Sequence, residues 1–150
     1  MCRGSPRGVA VLIRVYMDKK IKHLEMIQGI INRLANNSFL LKGWALTLTT
    51  ALAVYILKKP ITSIDWYIVA PLLLFWFLDA YYLMLERAFR NIYNSVRLKK
   101  ESEIDFSMAI PDIDRSMKAW LNAFFSITLI PFYGSITAGL LIALHLLARK

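Results

Sequence analysis

The chain has 150 residues, of which 57% are apolar and only 19% charged, whereas soluble proteins contain about 45–50% apolar and about 25% charged residues. Its net charge of +9 would suit nucleic acid, but the basic residues flank apolar segments instead of forming one patch. This distribution argues against a nucleic-acid partner and for a membrane. The only cysteine, Cys2, excludes a disulfide framework and a thiolate metal site.

The first sixteen residues, MCRGSPRGVAVLIRVY, do not form a signal peptide. Their apolar run is short, Arg14 interrupts its end, and no small-residue cleavage site follows. We expect residues 1–16 to be an upstream extension or a disordered tail, with Met17 as the natural start. Residues 17–150 then form a single membrane domain.

Residues 21–37 have the pattern of an amphipathic helix that lies on the membrane or packs on a partner helix. Apolar residues recur every three or four positions, and charged or amide side chains fill much of the other side. The following ANNS sequence predicts a helix boundary, because Asn37 or Ser38 can cap a new helix. The apolar positions are Ile21, Leu24, Ile27, Ile31 and Leu34.

Two apolar segments follow, with lengths that suit membrane spans. The first runs from about residue 39 to 57 and ends at a short KKPITS turn, and the second runs from about 64 to 85. An apolar stripe at helical spacing continues past the second span, which predicts a cytoplasmic helix extension over residues 86–98. We expect this stripe and that of residues 21–34 to bury each other in a small juxtamembrane layer.

Residues 99–118 are polar and contain Pro111, which predicts a loop. Residues 119–148 then contain no Asp, Glu, Lys or Arg. As one straight helix these thirty residues would be about 45 Å long, against a hydrocarbon core of about 30 Å. We therefore expect an interfacial start around Trp120–Phe125, followed by a third span over residues 127–147.

The predicted fold is an all-α integral membrane protein with three transmembrane helices, an N-terminal amphipathic helix and a cytoplasmic extension of the second span. Fifteen of the nineteen Lys and Arg residues lie on the side that holds the N-terminal segment and the 86–118 region. Because cytoplasmic segments are enriched in basic residues, this predicts a cytoplasmic N-terminus and an external C-terminus.

Two charges interrupt the first and second spans, Lys42 and Asp79. If the spans fold as an antiparallel hairpin about Pro60–Ile61, the two residues lie at the same depth. Charges inside a span are costly and usually pair or face a wet interior. We therefore predict a polar intramembrane layer with an ion pair, within one subunit or between neighbours. Alternatively, Lys42 extends to the interface and leaves Asp79 unpaired.

Small residues repeat every four positions on the first span and allow close approach of helix backbones. Two such series are present, and Thr50 adds a further hydroxyl. They predict packing against a second subunit, or tight packing inside one subunit. If the first helices ring an axis, Thr47 and Thr50 line a polar path. The two series are Gly43, Thr47 and Ala51, and Ala45, Thr49 and Ala53.

No phosphate-binding glycine loop or His-centred metal cluster is visible in the sequence, so we predict neither an enzyme nor a cofactor. A homo-oligomeric assembly, in particular a regulated pore, is the working hypothesis. The alternative is a non-conducting scaffold whose basic cytoplasmic surface recruits anionic membrane lipid or a protein partner. That surface consists of Arg87, Arg90, Arg97, Lys99 and Lys100.

The strings MIQGIINRLANNSFLLKGW and FWFLDAYYLMLERAFRNIY resemble the RipA-type octameric membrane proteins, a family of small bacterial multi-pass proteins. The resemblance covers residues 24–98 and extends loosely to AWLNAFFSITLIPFYG. It implies a location in the bacterial inner membrane and a ring-like homo-oligomer. The family has no accepted catalytic residues, so none are transferred.

Overall fold

The computed structural model describes residues 6–56, 66–100 and 103–148, and every regular element in these ranges is helical. Helices α1 and α2 pack along each other as an antiparallel hairpin, and α3 and α4 both pack on α2. The predicted turn over residues 58–63 lies outside the described residues. The elements are α1 (Pro6–Ile56), α2 (Trp66–Leu98), a 3-10 helix (Asp112–Arg115), α3 (Met117–Phe124) and α4 (Leu129–Ala148).

The N-terminal amphipathic segment and the first span are one helix, α1, and not two. The predicted boundary at Asn37 or Ser38 is therefore wrong. No proline or positive-φ glycine interrupts this stretch, and the Ser38 hydroxyl bonds to Asp79 instead of capping a helix. The helix also includes residues 6–16, for which the sequence left open a disordered tail.

The two apolar stripes bury each other, as predicted, in a helical layer formed by Ile27 and Ile31 of α1 with Ile92 and Val96 of α2. The predicted extension of the second span is present as the last part of α2. Apolar residues from the segment after α2 also pack against this layer, so the polar 99–118 region contributes to its core. These residues are Ile104, Met108 and Ile110.

The third apolar segment is divided into α3 and α4, which meet at an angle of 55°. The break follows Phe124, and the hydroxyl of Ser126 accepts from the backbone N–H of Leu129 at the start of α4. Pro131 lies in the first turn of α4, where a missing N–H costs no helical hydrogen bond. The predicted interfacial start corresponds to α3, which begins slightly earlier, at Met117.

Helices α1 and α2 each contain a stretch long and apolar enough to cross a membrane, Met17–Tyr55 and Val69–Leu98. A third crossing is present if the bent pair α3 and α4 forms one span. With 33 residues, α2 is about 50 Å long and exceeds a hydrocarbon core of about 30 Å. A membrane protein of two or three helical spans therefore fits these elements.

This helical layer can be tested at Ile27, which is fully buried. We expect Ile27→Ala to lower the free energy of unfolding by about 2–5 kcal/mol, because it removes buried methyl groups and leaves a cavity. The adjacent Met26 is 60% exposed, and Met26→Ala should change it by less than about 0.5 kcal/mol. Denaturant titration in detergent measures both, and equal effects would contradict the layer.

Candidate functional site: a polar cluster joining three helices

The carboxylate of Asp79 is the centre of a buried polar cluster that joins α1, α2 and α4. Asp79 is fully buried in the middle of α2. Its Oδ2 lies 2.6 Å from Nζ of Lys42 and accepts from the hydroxyl of Tyr133 at 3.1 Å. Its Oδ1 accepts from the hydroxyl of Ser38. Three side chains from two other helices thus donate to one carboxylate.

On α1, the two donors are positioned by helical periodicity. Ser38 and Lys42 are four residues apart and lie on the same face because α1 continues through this region. Lys42 Nζ also donates to the Ser38 hydroxyl at 2.8 Å. The Ser38 hydroxyl therefore accepts a hydrogen bond from Lys42 and donates one to Asp79. The ion pair that the hairpin predicts is present, within one chain.

On α4, Tyr133 is placed by the bend that follows α3. Its ring is fully buried, and its hydroxyl also approaches the carbonyl oxygen of Phe75 at 3.3 Å. Trp76 stacks on Tyr133 and on Phe124, with ring centroids 5.6 and 4.6 Å apart, and its indole N–H donates to the carbonyl of Phe124. These contacts hold the end of α3 and the start of α4 against α2.

The cluster is arranged to compensate a buried charge. An unpaired buried carboxylate is strongly unfavourable, whereas one with a cation and further hydrogen bonds can be accommodated. Both oxygens of Asp79 are engaged and closed from solvent, while the Lys42 side chain keeps 21% exposure. The cluster therefore acts in the first place as a clamp between helices.

The two small-residue series on α1 have different environments. Ala45 and Thr49 are buried against the rest of the chain, which fits packing inside one subunit. Gly43, Thr47 and Ala51 are exposed. Thr50 is also exposed, and a Cβ built on Gly43 would meet no atom within 4 Å. The face of α1 that carries Gly43, Thr47 and Ala51 is therefore open to contact with a neighbouring molecule.

The residues of the predicted basic surface have different partners. Arg87 donates to the backbone carbonyl of Asn122 at 3.2 Å, and Arg90, although exposed, forms an ion pair with Glu86 one helical turn earlier. Arg97, Lys99 and Lys100 are exposed at the end of α2, where Lys20 donates to the carbonyls of Arg97 and Lys99.

The segment between α2 and the 3-10 helix covers His23, which is buried on α1. The rings of His23 and Phe106 are 5.4 Å apart, and Phe106 has a φ of 54°. The backbone N–H of Ser107 donates to the adjacent Asp105 and lowers the pKa of that exposed carboxyl. This segment is thus ordered against the helical layer.

Sequence reasoning found Lys42 and Asp79 but missed two members of the cluster. Ser38 could have been found by its spacing of four residues from Lys42, had α1 been taken as continuous. No local signal marks Tyr133, because its role depends on the fold of α3 and α4. Comparisons with protein-family models, with curated proteins and with solved structures give no match.

We expect Lys42→Met to lower the free energy of unfolding by about 3–5 kcal/mol, because it leaves the Asp79 carboxylate buried without a cation. Adding Asp79→Asn should recover most of this loss, since the double variant contains no unpaired charge. Unfolding of the wild type and the variants in one detergent measures this. If Lys42 instead extends to the interface, Asp79→Asn will change the free energy of unfolding by the same amount in the wild type and in the Lys42→Met variant.

Tyr133→Phe tests the contribution of α4. We expect it to reduce stability by about 1.5–3 kcal/mol, since it removes a hydrogen bond to a charged acceptor. Tyr82→Phe is the matched control, because the Tyr82 hydroxyl bonds to none of the residues that the structure describes. A larger loss at Tyr82 than at Tyr133, in the same unfolding measurement, would refute the three-helix clamp.

Proposed function

We propose that this protein is a multi-pass protein of the bacterial inner membrane that assembles into a RipA-type homo-oligomeric ring, with α1 facing the axis of a regulated pore. The N-terminus is cytoplasmic and the C-terminus external in this proposal. The observation that carries it is the exposed face of small and polar residues on α1, opposite the face that packs on α2.

This face extends over residues 29–50 of α1 with a period of seven residues. Gly29, Asn36, Gly43 and Thr50 are all exposed. A seven-residue repeat keeps one face of a helix turned toward a partner helix that crosses at a small angle. Small residues at these positions allow the backbones to approach, and Asn36 can form hydrogen bonds between helices. The pattern supports contact between copies of α1.

Hydroxyls on the same side of α1 support a polar path. Thr47 is exposed, and its hydroxyl donates to the carbonyl of Gly43 at 2.9 Å. The oxygen lone pairs thus remain available to a permeant species without an unpaired donor in the membrane. Asp79, which is enclosed within each subunit, does not line this path. Its role in the ring is to keep α1 in register with α2.

A non-conducting scaffold is a second candidate, favoured by the exposed Arg97, Lys99 and Lys100. Leu98 is thirteen residues beyond Leu85, the predicted end of the second span, which is about 20 Å along a helix. Electrostatic attraction is screened over about 8 Å at physiological ionic strength. An anionic protein partner therefore fits this end of α2 better than lipid headgroups do.

We expect Gly43→Leu to break the ring without unfolding the subunit. A Cβ at this position lies more than 4 Å from the atoms of the described residues beyond its own helical turn, but the added side chain separates helices that approach at this face. Native mass spectrometry of the protein in mild detergent reads the copy number. Leu48→Phe is the matched control, because Leu48 lies about 140° around the helix from Gly43.

The same proteins in liposomes test conduction. A pore predicts an ion leak in the wild type and in Leu48→Phe, and a sealed membrane with Gly43→Leu. A wild-type ring that leaves the membrane sealed contradicts the pore and favours the scaffold. A wild-type monomer contradicts both the ring and the pore.

A further inference from the structure

A surface groove of about 290 Å³ lies between α2 and the start of α3, away from the exposed face of α1. Phe77, Tyr81 and Met84 of α2 line one side, and Met117 and Trp120 of α3 line the other. The rings of Phe77 and Trp120 are 4.4 Å apart. The lining is thus mainly aromatic and thioether, which suits an apolar chain.

A cation also lines this groove. Arg115, at the end of the 3-10 helix, lines the groove and is exposed. Its guanidinium forms no ion pair or hydrogen bond with the residues that the structure describes. Asp114, its neighbour, accepts from the Asn91 amide at 3.1 Å and belongs to a separate groove with Arg87 and Asn122. Arg115 is therefore available to an anion.

A second polar group of the groove also lacks a partner. The indole N–H of Trp120 is buried and has no acceptor among the described residues. Because this nitrogen is closed to solvent, it is not open to a ligand in the groove. The groove thus combines an apolar lining with an unpaired cation.

We propose that this groove binds an anionic phospholipid of the cytoplasmic leaflet, with its phosphate at Arg115 and the upper part of an acyl chain along α2. The proposal uses the membrane orientation of the proposed function but not the ring. Phe77 and Met84 are seven residues apart, about 10 Å along α2, and both precede Leu85, the predicted end of the span. Basic pockets beside membrane helices are typical sites for anionic headgroups.

The experiment is a lipid titration of the full chain in mild detergent, followed by native mass spectrometry. The probes are dioleoyl phosphatidylglycerol, dioleoyl phosphatidylethanolamine and glycerol phosphate. We expect the wild type to bind phosphatidylglycerol in preference to the zwitterionic lipid, and not to bind glycerol phosphate. Arg115→Gln should weaken phosphatidylglycerol binding about fivefold, the effect of one basic residue at a membrane surface.

Lys118→Gln is the matched control, because Lys118 is an exposed cation three residues away that does not line the groove. It should leave lipid binding unchanged. An equal loss of phosphatidylglycerol binding in both variants would show only a general electrostatic attraction between the basic protein and the anionic lipid. That result would overturn the site. Binding of glycerol phosphate as tight as that of the lipid would assign the groove to free phosphate instead.

Met117→Trp, which fills the groove from its exposed side, adds an independent test. It should abolish the preference for phosphatidylglycerol while the copy number stays the same. A lower copy number would assign the groove to a second copy of the chain and overturn the lipid site. Because each spectrum gives both copy number and bound lipid, a monomer that still prefers phosphatidylglycerol contradicts only the ring.

Discussion

The burial of one carboxylate constrains the arrangement of the whole chain. Asp79 is inaccessible to solvent in the middle of α2, and a charge in that position is tolerated only if donors surround it. Ser38 and Lys42 must come from α1 and Tyr133 from α4. The two carboxylate oxygens of Asp79 therefore fix both the register of α1 against α2 and the position of α4.

Since this polar cluster is enclosed, the surfaces that can act on other molecules lie outside it. One is the face of α1 that carries Gly43 and Thr47. Another is the groove between α2 and α3, which Arg115 also lines. These surfaces are on different helices, so assembly and lipid binding do not compete for the same residues. In the proposed pore, the cluster keeps α1 in register with α2 while the outer face of α1 meets the neighbouring copies.

The errors of sequence reasoning have a common physical cause. The ANNS sequence has good capping residues, but a local preference of about 1 kcal/mol is smaller than the value of donating to a buried carboxylate. Ser38 therefore stays within a continuous helix. In the same way, the five basic residues after the second span look equivalent in sequence, but a tertiary contact joins Arg87 alone among them to the carbonyl of Asn122.

The sequence by itself determined the helical class, the apolar segments, the two apolar stripes and the equal depth of Lys42 and Asp79 in the hairpin, whereas their ion pair is seen only in the structure. These follow from hydrophobic periodicity and from the equal distances of the two charges from the turn, which are properties of one helix or one hairpin. Only the tertiary structure decided that α1 is continuous, that α3 and α4 meet at 55°, and that Tyr133 completes the cluster. Tyr133 is far from Asp79 in sequence, and their contact depends on how the α3–α4 bend packs against α2. The hydrophobic periodicity of a single segment does not predict this contact between Tyr133 and Asp79.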